Sequence, residues 1–334
     1  MKAAAFDVPV AIFAFNRPKL TRRVFDAVAE QRPKRLFLVA DGPRPDCPED
    51  NVPCDEVRKI LMEVTWPCEV ATNFSDRNLG CGRRMSSGID WLFKHVDAAV
   101  LIEDDCLPAP PFFEFCSAML SRFANDSRIG LVSGSNFTWR HFQPPASYYF
   151  SRYTHIWGWG TWRRSWAHYD FGLRSLSLAR EHRLLEEVFD DPQLADFWYA
   201  IFGAVKSGRV DTWDYQLFYA SVINSWLNVI PAVNLVTNIG IGPDATHTKS
   251  STSIDSQAPG DLQFPLRHPD FITRCRTADE ITERDAYGIR RGKDSSSSSQ
   301  SADQRRPTAR SFAQREFARV VSVMRTLAPS RRGG

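Results

Sequence analysis

The chain has 334 residues, of which 43% are apolar and 24% charged, with a formal net charge of +3. That is the make-up of an ordinary folded protein with a large core, and it excludes collagen-like, low-complexity and disulfide-stapled classes. The charge is unevenly spread, because residues 284–334 hold twelve Lys or Arg against four Asp or Glu and leave the remainder mildly acidic. A surface that tracks phosphates needs clustered cations, so nucleic acid is not expected as a partner of the body. The seven cysteines are odd in number, scattered and free of any CxxC pair, which suggests neither a disulfide framework nor a zinc site and fits a reducing, cytoplasmic setting. The first apolar run, 8–15, is too short for a membrane span and ends in Asn16-Arg17-Pro18. It reads as a first strand rather than a signal peptide or an anchor.

From there the pattern alternates. Strands are expected at 8–15, 35–40, 69–72, 98–102 and 129–133, and helices at 20–31, 55–63, 83–95 and 112–125. This βαβα order predicts an α/β fold with a mostly parallel, doubly wound central sheet flanked by helices. The second half reads differently. It is rich in Trp and loops over 139–166, helical at 181–189, 192–207 and 213–224, and strand-like once more at 227–233. From 290 to 310 the chain turns Ser-, Arg- and Gln-rich and reads as disordered. The segment 312–328 then places Phe317, Val320, Val321, Met324 and Leu327 on one helical stripe with Arg315, Arg319 and Arg325 around it. Such a helix can lie on an anionic membrane surface, or pack on the body or another protein.

The run Ala98 to Pro108 carries the most chemical information. Five apolar residues deliver Glu103, Asp104 and Asp105 to the carboxyl end of a strand, where open α/β sheets collect ligands. Adjacent carboxylates repel when ionised, so one stays protonated or a cation joins them. Mg²⁺ and Mn²⁺ typically take one or two carboxylates plus substrate phosphates. Glu103 and Asp105 should share a side and Asp104 point away. An exposed acidic turn is the plainer alternative. Asp41 ends the neighbouring strand, followed by Gly42, and could accept from ribose hydroxyls or a base N–H, or simply make an Asp-Gly turn. Asn78-Leu79-Gly80-Cys81-Gly82-Arg83-Arg84 opens a helix with glycines and arginines, a reasonable place to meet a diphosphate.

These pieces together resemble the nucleotide-sugar-dependent glycosyltransferases of the GT-A fold. The motifs VAIFAFNRP, LVADG, NLGCGRR and VLIEDDCLPAPPFFEFC carry the likeness, over residues 8 to about 248. The acidic run followed by Pro and Phe-Phe is similar in particular to N-acetylglucosaminyltransferase I and to bacterial family 2-like transferases. The resemblance implies that Asp105 binds Mn²⁺ or Mg²⁺, that Asp104 faces the ribose, and that Glu103 helps through water or the sugar. It also implies that Asp41 contacts the nucleoside and that Arg17 and Arg83 lie near the base or diphosphate. Trp157-Gly158-Trp159-Gly160 looks like a loop that lines donor and acceptor sugars, and aromatic faces do stack on pyranose rings. Core packing is the alternative for Trp157 and Trp159. Inverting transfer needs a base, and Asp211-Thr212-Trp213-Asp214 is the best source, Asp214 first and Asp211 second. Either could instead be an acid favoured at a helix N-terminus. His247, in a late glycine-bearing loop, is a candidate metal or phosphate contact.

The expected organisation is a catalytic domain over 1–283, with a nucleotide-binding half at 1–135 and an acceptor-binding half at 136–283. A linker at 284–310 and a basic amphipathic helix at 311–334 follow, the helix being a candidate peripheral contact with the inner face of the plasma membrane. The expected activity is metal-dependent transfer of a sugar from a nucleoside diphosphate donor, a UDP-sugar, to a glycan or lipid-linked acceptor in bacterial surface-polysaccharide synthesis. A nucleotidyltransferase making nucleotide-sugars and a non-catalytic carbohydrate-binding protein are the other classes that fit.

Overall fold

The computed structural model describes residues 6–240 and 258–289. The chain begins β1 (Val10–Ala14), α1 (Pro18–Gln31), β2 (Arg35–Ala40), α2 (Asn51–Leu61), β3 (Glu69–Phe74), α3 (Cys81–Leu92) and β4 (Ala98–Glu103). It continues through β5 (Cys106–Pro108), α4 (Pro110–Arg122), β6 (Ile129–Ser133), β7 (Tyr148–Ser151), β8 (Trp159–Trp162) and α5 (Arg163–Trp166). The last part holds α6 (Leu176–Glu181), α7 (Leu184–Phe189), α8 (Pro192–Lys206), α9 (Asp214–Ile223), β9 (Leu227–Pro231), β10 (Val236–Asn238) and α10 (Arg276–Asp285).

Eight strands form one sheet in the order β3-β2-β1-β4-β8-β6-β9-β7, and β5 pairs with β10 in a small second sheet. The pairs β3-β2, β2-β1, β1-β4 and β6-β9 are parallel, while β8 runs antiparallel between β4 and β6, and β7 antiparallel to β9. The expected α/β architecture with a mostly parallel sheet and flanking helices is what the chain adopts.

Strand periodicity sorts the core. Val10, Ile12, Leu36, Leu38, Val100 and Ile102 face one layer with α1, α2 and α4. Ala11, Phe13, Phe37, Val39, Ala99 and Leu101 face the other, under α3 and the Trp159–Trp213 pair. Both faces are covered, which is why these strands read as unbroken apolar runs rather than alternating ones. Each large apolar side chain so buried contributes roughly 1.5–3 kcal/mol. A third cluster, around Trp198, Phe202 and Phe218, knits α6 to α9 into a helical layer.

The stretch 139–166, expected to be loop, instead supplies two strands and a helical turn. Trp159 is the first residue of β8, 1% exposed, and its ring stacks on Trp213 at 5.6 Å. A central strand made of Trp-Gly-Thr-Trp lacks the β-branched run that signals a strand, so tertiary packing rather than propensity sets it. Residues 284–289 also depart from expectation. α10 extends to Asp285, and Tyr287 and Ile289 pack on the Trp198 cluster, so the start of the expected linker belongs to the folded body. Inside α10, Asp279 and Glu283 are buried and accept from the Ser151 and Tyr153 hydroxyls at 2.5 and 2.9 Å, which ties the helix to the sheet. The rest of the linker and the basic amphipathic segment lie outside the described residues. Among the described residues, no helix is long and apolar enough to cross a membrane.

Candidate active site

The carboxyl ends of β1, β2, β4 and β6 lie on one edge of the sheet, because these strands run the same way and β8 enters between β4 and β6. Arg17, Asp41 and the acidic run therefore meet at that edge. Asp104 is 2% exposed, and its two oxygens accept from the Phe15 N–H at 3.2 Å and from Arg17 Nη2. Arg17 Nη1 donates to Asp105 Oδ2 at 2.8 Å. Expected beside a base or diphosphate, the guanidinium instead forks across two aspartates and ties the end of β1 to the end of β4. The carboxylate expected to face a ribose is spent inside the protein. Burial opposes the charge on Arg17, but Asp104 and Asp105 outweigh it and hold the guanidinium above its ordinary range. The Arg17 loop is pinned in turn by Asp50, which accepts from Asn16 at 2.7 Å and Arg44 at 2.6 Å and is held down to about 2 chiefly by Arg44.

Glu103 is half-buried at the last position of β4. Burial, then Asp105, pushes its carboxyl well above the ordinary range, with Asp104 and Asp214 adding to the effect against Arg17. The cluster is therefore short of positive charge even with Arg17 in place. Hard oxygen donors with uncompensated negative charge suit Mg²⁺ or Mn²⁺, which need only one or two carboxylates when a diphosphate supplies further oxygens. Among the described residues, no group of three or more His, Cys, Asp or Glu could hold a metal unaided. The Asp105 carbonyl accepts from the Ile239 N–H at 2.7 Å. His247 itself lies outside the described residues.

Asp41 does not face an open ligand site. It is 4% exposed, and its carboxylate accepts from the N–H groups of Gly42 at 2.9 Å and Leu79 at 3.0 Å. Burial raises its pKa, and those N–H bonds with the charge of Arg84 pull it back. The close approach that Gly42 allows is that of the Arg77 backbone, which a Cβ would meet at 2.5 Å. Asp41 thus holds the Asn78-Leu79-Gly80 turn in front of α3.

The N-terminus of α3 is also filled from within the chain. A Cβ at Gly82 would sit 2.6 Å from Asp211 Oδ1 and 2.7 Å from the Thr212 carbonyl oxygen, so glycine admits the 211–212 segment, not a diphosphate. A carboxylate over a helix N-terminus is favoured by the helix dipole. Next to it, the Thr212 hydroxyl donates to Asp214 Oδ1, which also accepts from the Tyr215 N–H at 2.9 Å, while Trp213 occupies the N-cap position of α9. Asp214 is half-buried and Asp211 exposed.

One residue that sequence reasoning passed over reports the convergence. Cys81, at the start of α3, has its thiol pushed up by desolvation and then by the charges of Glu103, Asp214, Asp211 and Asp105. Carboxylates from β4, the β4–β5 turn and the segment that leads into α9 thus act on the same thiol, and Asp211 approaches the start of α3 directly, 3.0 Å from where a Cβ on Gly80 would stand. Only the topology joins residues so far apart in sequence.

Trp157 and Trp159 part company. Trp159 is core, whereas Trp157 is half-buried and meets the Phe137 ring edge-on at 4.9 Å. Phe137 stacks on His155 at 4.3 Å. Burial brings the His155 imidazole down to about 4, so it is neutral, with Nδ1 3.3 Å from the Ser135 carbonyl oxygen. Arg83 has its guanidinium 5.4 Å from the centre of the Phe171 ring, at the wall of a cavity of about 560 Å³ that Asp211 also lines.

No protein-family model matches the chain, and no curated protein matches it. Among solved structures, it is similar to HddC from Yersinia pseudotuberculosis, with 11% identity over 47% of this chain and 77% of that one and a TM-score of 0.29. The inositol-1-phosphate CTP transferase from T. maritima is 11% identical over 49% of this chain and 74% of its own, with a TM-score of 0.28. Mouse xyloside xylosyltransferase 1, in its apo form, is 12% identical over 65% and 81%, with a TM-score of 0.29. Likenesses this distant assign no activity.

Proposed function

We propose that the chain is a glycosyltransferase of the GT-A type. It moves a sugar from a nucleoside diphosphate donor, a UDP-sugar, to a glycan or lipid-linked acceptor with inversion. The observation that supports this most is the placement of Glu103, Asp104 and Asp105 at the carboxyl end of β4, with Asp105 held by Arg17 and Asp211 brought over the start of α3. A Mn²⁺ or Mg²⁺ ion held by Asp105 and Glu103 would supply the positive charge that stabilises a diphosphate leaving group. Arg17 keeps Asp105 oriented through its fork, and Asp41 fixes the turn before α3. Trp157, backed by Phe137, offers an aromatic face to a sugar ring.

In the transfer step, the acceptor oxygen forms a bond to the anomeric carbon as the bond from that carbon to the diphosphate oxygen breaks. The electron pair leaves on the diphosphate, and the acceptor proton passes to Asp214. Its place at the start of α9, with the Thr212 hydroxyl and the Tyr215 N–H on one oxygen, fixes the carboxylate for that task. A general base of this kind contributes roughly 10²–10⁴-fold. The test is release of nucleoside diphosphate from a panel of nucleotide-sugars with mixed oligosaccharide acceptors. Asp214→Asn should lower turnover about 10²–10⁴-fold with nucleotide affinity intact. An Asp214→Asn protein with full turnover rules this residue out as the base.

A further inference from the structure

The open cavity lined by Asp211 does not include the Arg17 fork and has a volume of about 560 Å³, within the roughly 300–1,000 Å³ of small-molecule sites. Its lining includes Arg83, Phe171, Lys206, Asp211, Thr212 and Gln216. Arg83 lies over the Phe171 ring, so the aromatic face carries a cation. Lys206 ends α8 and gives Nζ to the Leu173 carbonyl at 3.0 Å, which fixes a second cation on the same lining. Gln216 is 2% exposed and donates through Nε2 to the Thr212 carbonyl at 2.8 Å, while its Oε1 is buried without a partner. Arg83 and Lys206 outnumber Asp211, the one carboxylate on the lining, so the cavity carries surplus positive charge, and charge-assisted bonds to a carboxylate or phosphate are the strong ones. The cavity lies in a body that is otherwise mildly acidic, and it shares Asp211 and Thr212 with the acid crevice.

We propose that this cavity is an acceptor subsite for a saccharide that carries an oxyanion. Arg83 and Lys206 bind the anion, Gln216 takes a hydroxyl, and the reacting hydroxyl is presented past Asp211 toward Asp214. The assignment of an acceptor rests on the transferase reading above, whereas the preference for an anion rests on the cavity alone. It moves Arg83 from the donor to the acceptor.

Glucose, glucuronate and glucose 6-phosphate are titrated into the full chain by ligand-observed NMR, with and without saturating UDP and Mn²⁺. The same titrations use R83Q and K206Q, both at exposed positions. At least one charged hexose should bind about tenfold more tightly than glucose, and each substitution should remove that preference with UDP affinity unchanged. A preference limited to glucuronate identifies a carboxylate-bearing acceptor, and one limited to glucose 6-phosphate a phosphorylated one. Equal binding of all three sugars, or a preference that survives both substitutions, overturns the proposal. So does a loss of UDP affinity in R83Q as large as its loss of the charged sugar. A wild-type protein that ignores UDP yet prefers charged sugars supports the cavity assignment and contradicts the transferase reading, so the two failures are distinguishable.

Discussion

Two adjoining regions of the molecule handle aromatic and charged residues in opposite ways. Around β1, β2 and β4, the charges are locked: Asp104 is bound by Arg17 and the Phe15 N–H, Asp41 by two backbone N–H groups, and Asp50 by Arg44 and Asn16. Around β8 and α9, aromatic packing sets the frame through Trp159 on Trp213 and the Trp198 cluster, and Asp211 and Asp214 stand where helices begin. The first region positions chemistry with buried hydrogen bonds, the second with ring contacts. Substitutions in the two should therefore fail differently, one by stranding charge and the other by opening space.

The largest stability effect belongs to the aromatic side. Trp159→Ala should cost about 3–5 kcal/mol in denaturant unfolding, the range for a fully buried aromatic. Trp157→Ala, two residues away and half-buried, should cost under about 2 kcal/mol while weakening donor affinity about tenfold. Equal stability losses for the two would erase the distinction between core and rim. On the charged side, Asp104→Ala leaves the Arg17 fork with one partner and should cost about 3 kcal/mol. A loss below about 1 kcal/mol would mean that the fork is no structural tie.

A smaller effect depends on pH. His155 is buried beside Phe137, and its folded pKa of about 4 lies below the ordinary value of 6.5. The unfolded chain takes up the proton first, so stability is full above about 6.5 and falls as pH drops from there toward about 4. The loss approaches about 3 kcal/mol at the acid end. His155→Gln should flatten the stability curve in that window relative to wild type. An unchanged slope would show that the imidazole is hydrated or paired in the native state.

How much of this was legible in the sequence follows the same division. β2 and β6 fall at their expected bounds because strands buried on both faces leave continuous apolar runs. The acids at the end of β4 were visible for the same reason. β7 and β8 were not, because Tyr-Tyr-Phe-Ser is only four residues long and Trp-Gly-Thr-Trp takes its conformation from its neighbours. β5 and β10 are three-residue strands that exist only by pairing with each other. Within the site, residue types were readable but partners were not. Nothing local says that Arg17 will reach across 88 positions to Asp105, that Asp211 will settle over Gly82, or that Arg83 will turn toward Phe171. Cys81 and Lys206 carry no sequence signal of their own.

The most direct test of the central claim is calorimetric titration of UDP, GDP, dTDP and CDP into the full chain, with Mn²⁺ and again with excess EDTA, repeated for Asp105→Asn. One nucleotide should bind with Mn²⁺, EDTA should abolish the binding, and Asp105→Asn should weaken it at least about a hundredfold. Binding that is indifferent to EDTA and to Asp105, or no binding of any nucleotide, would contradict a donor site at the end of β4.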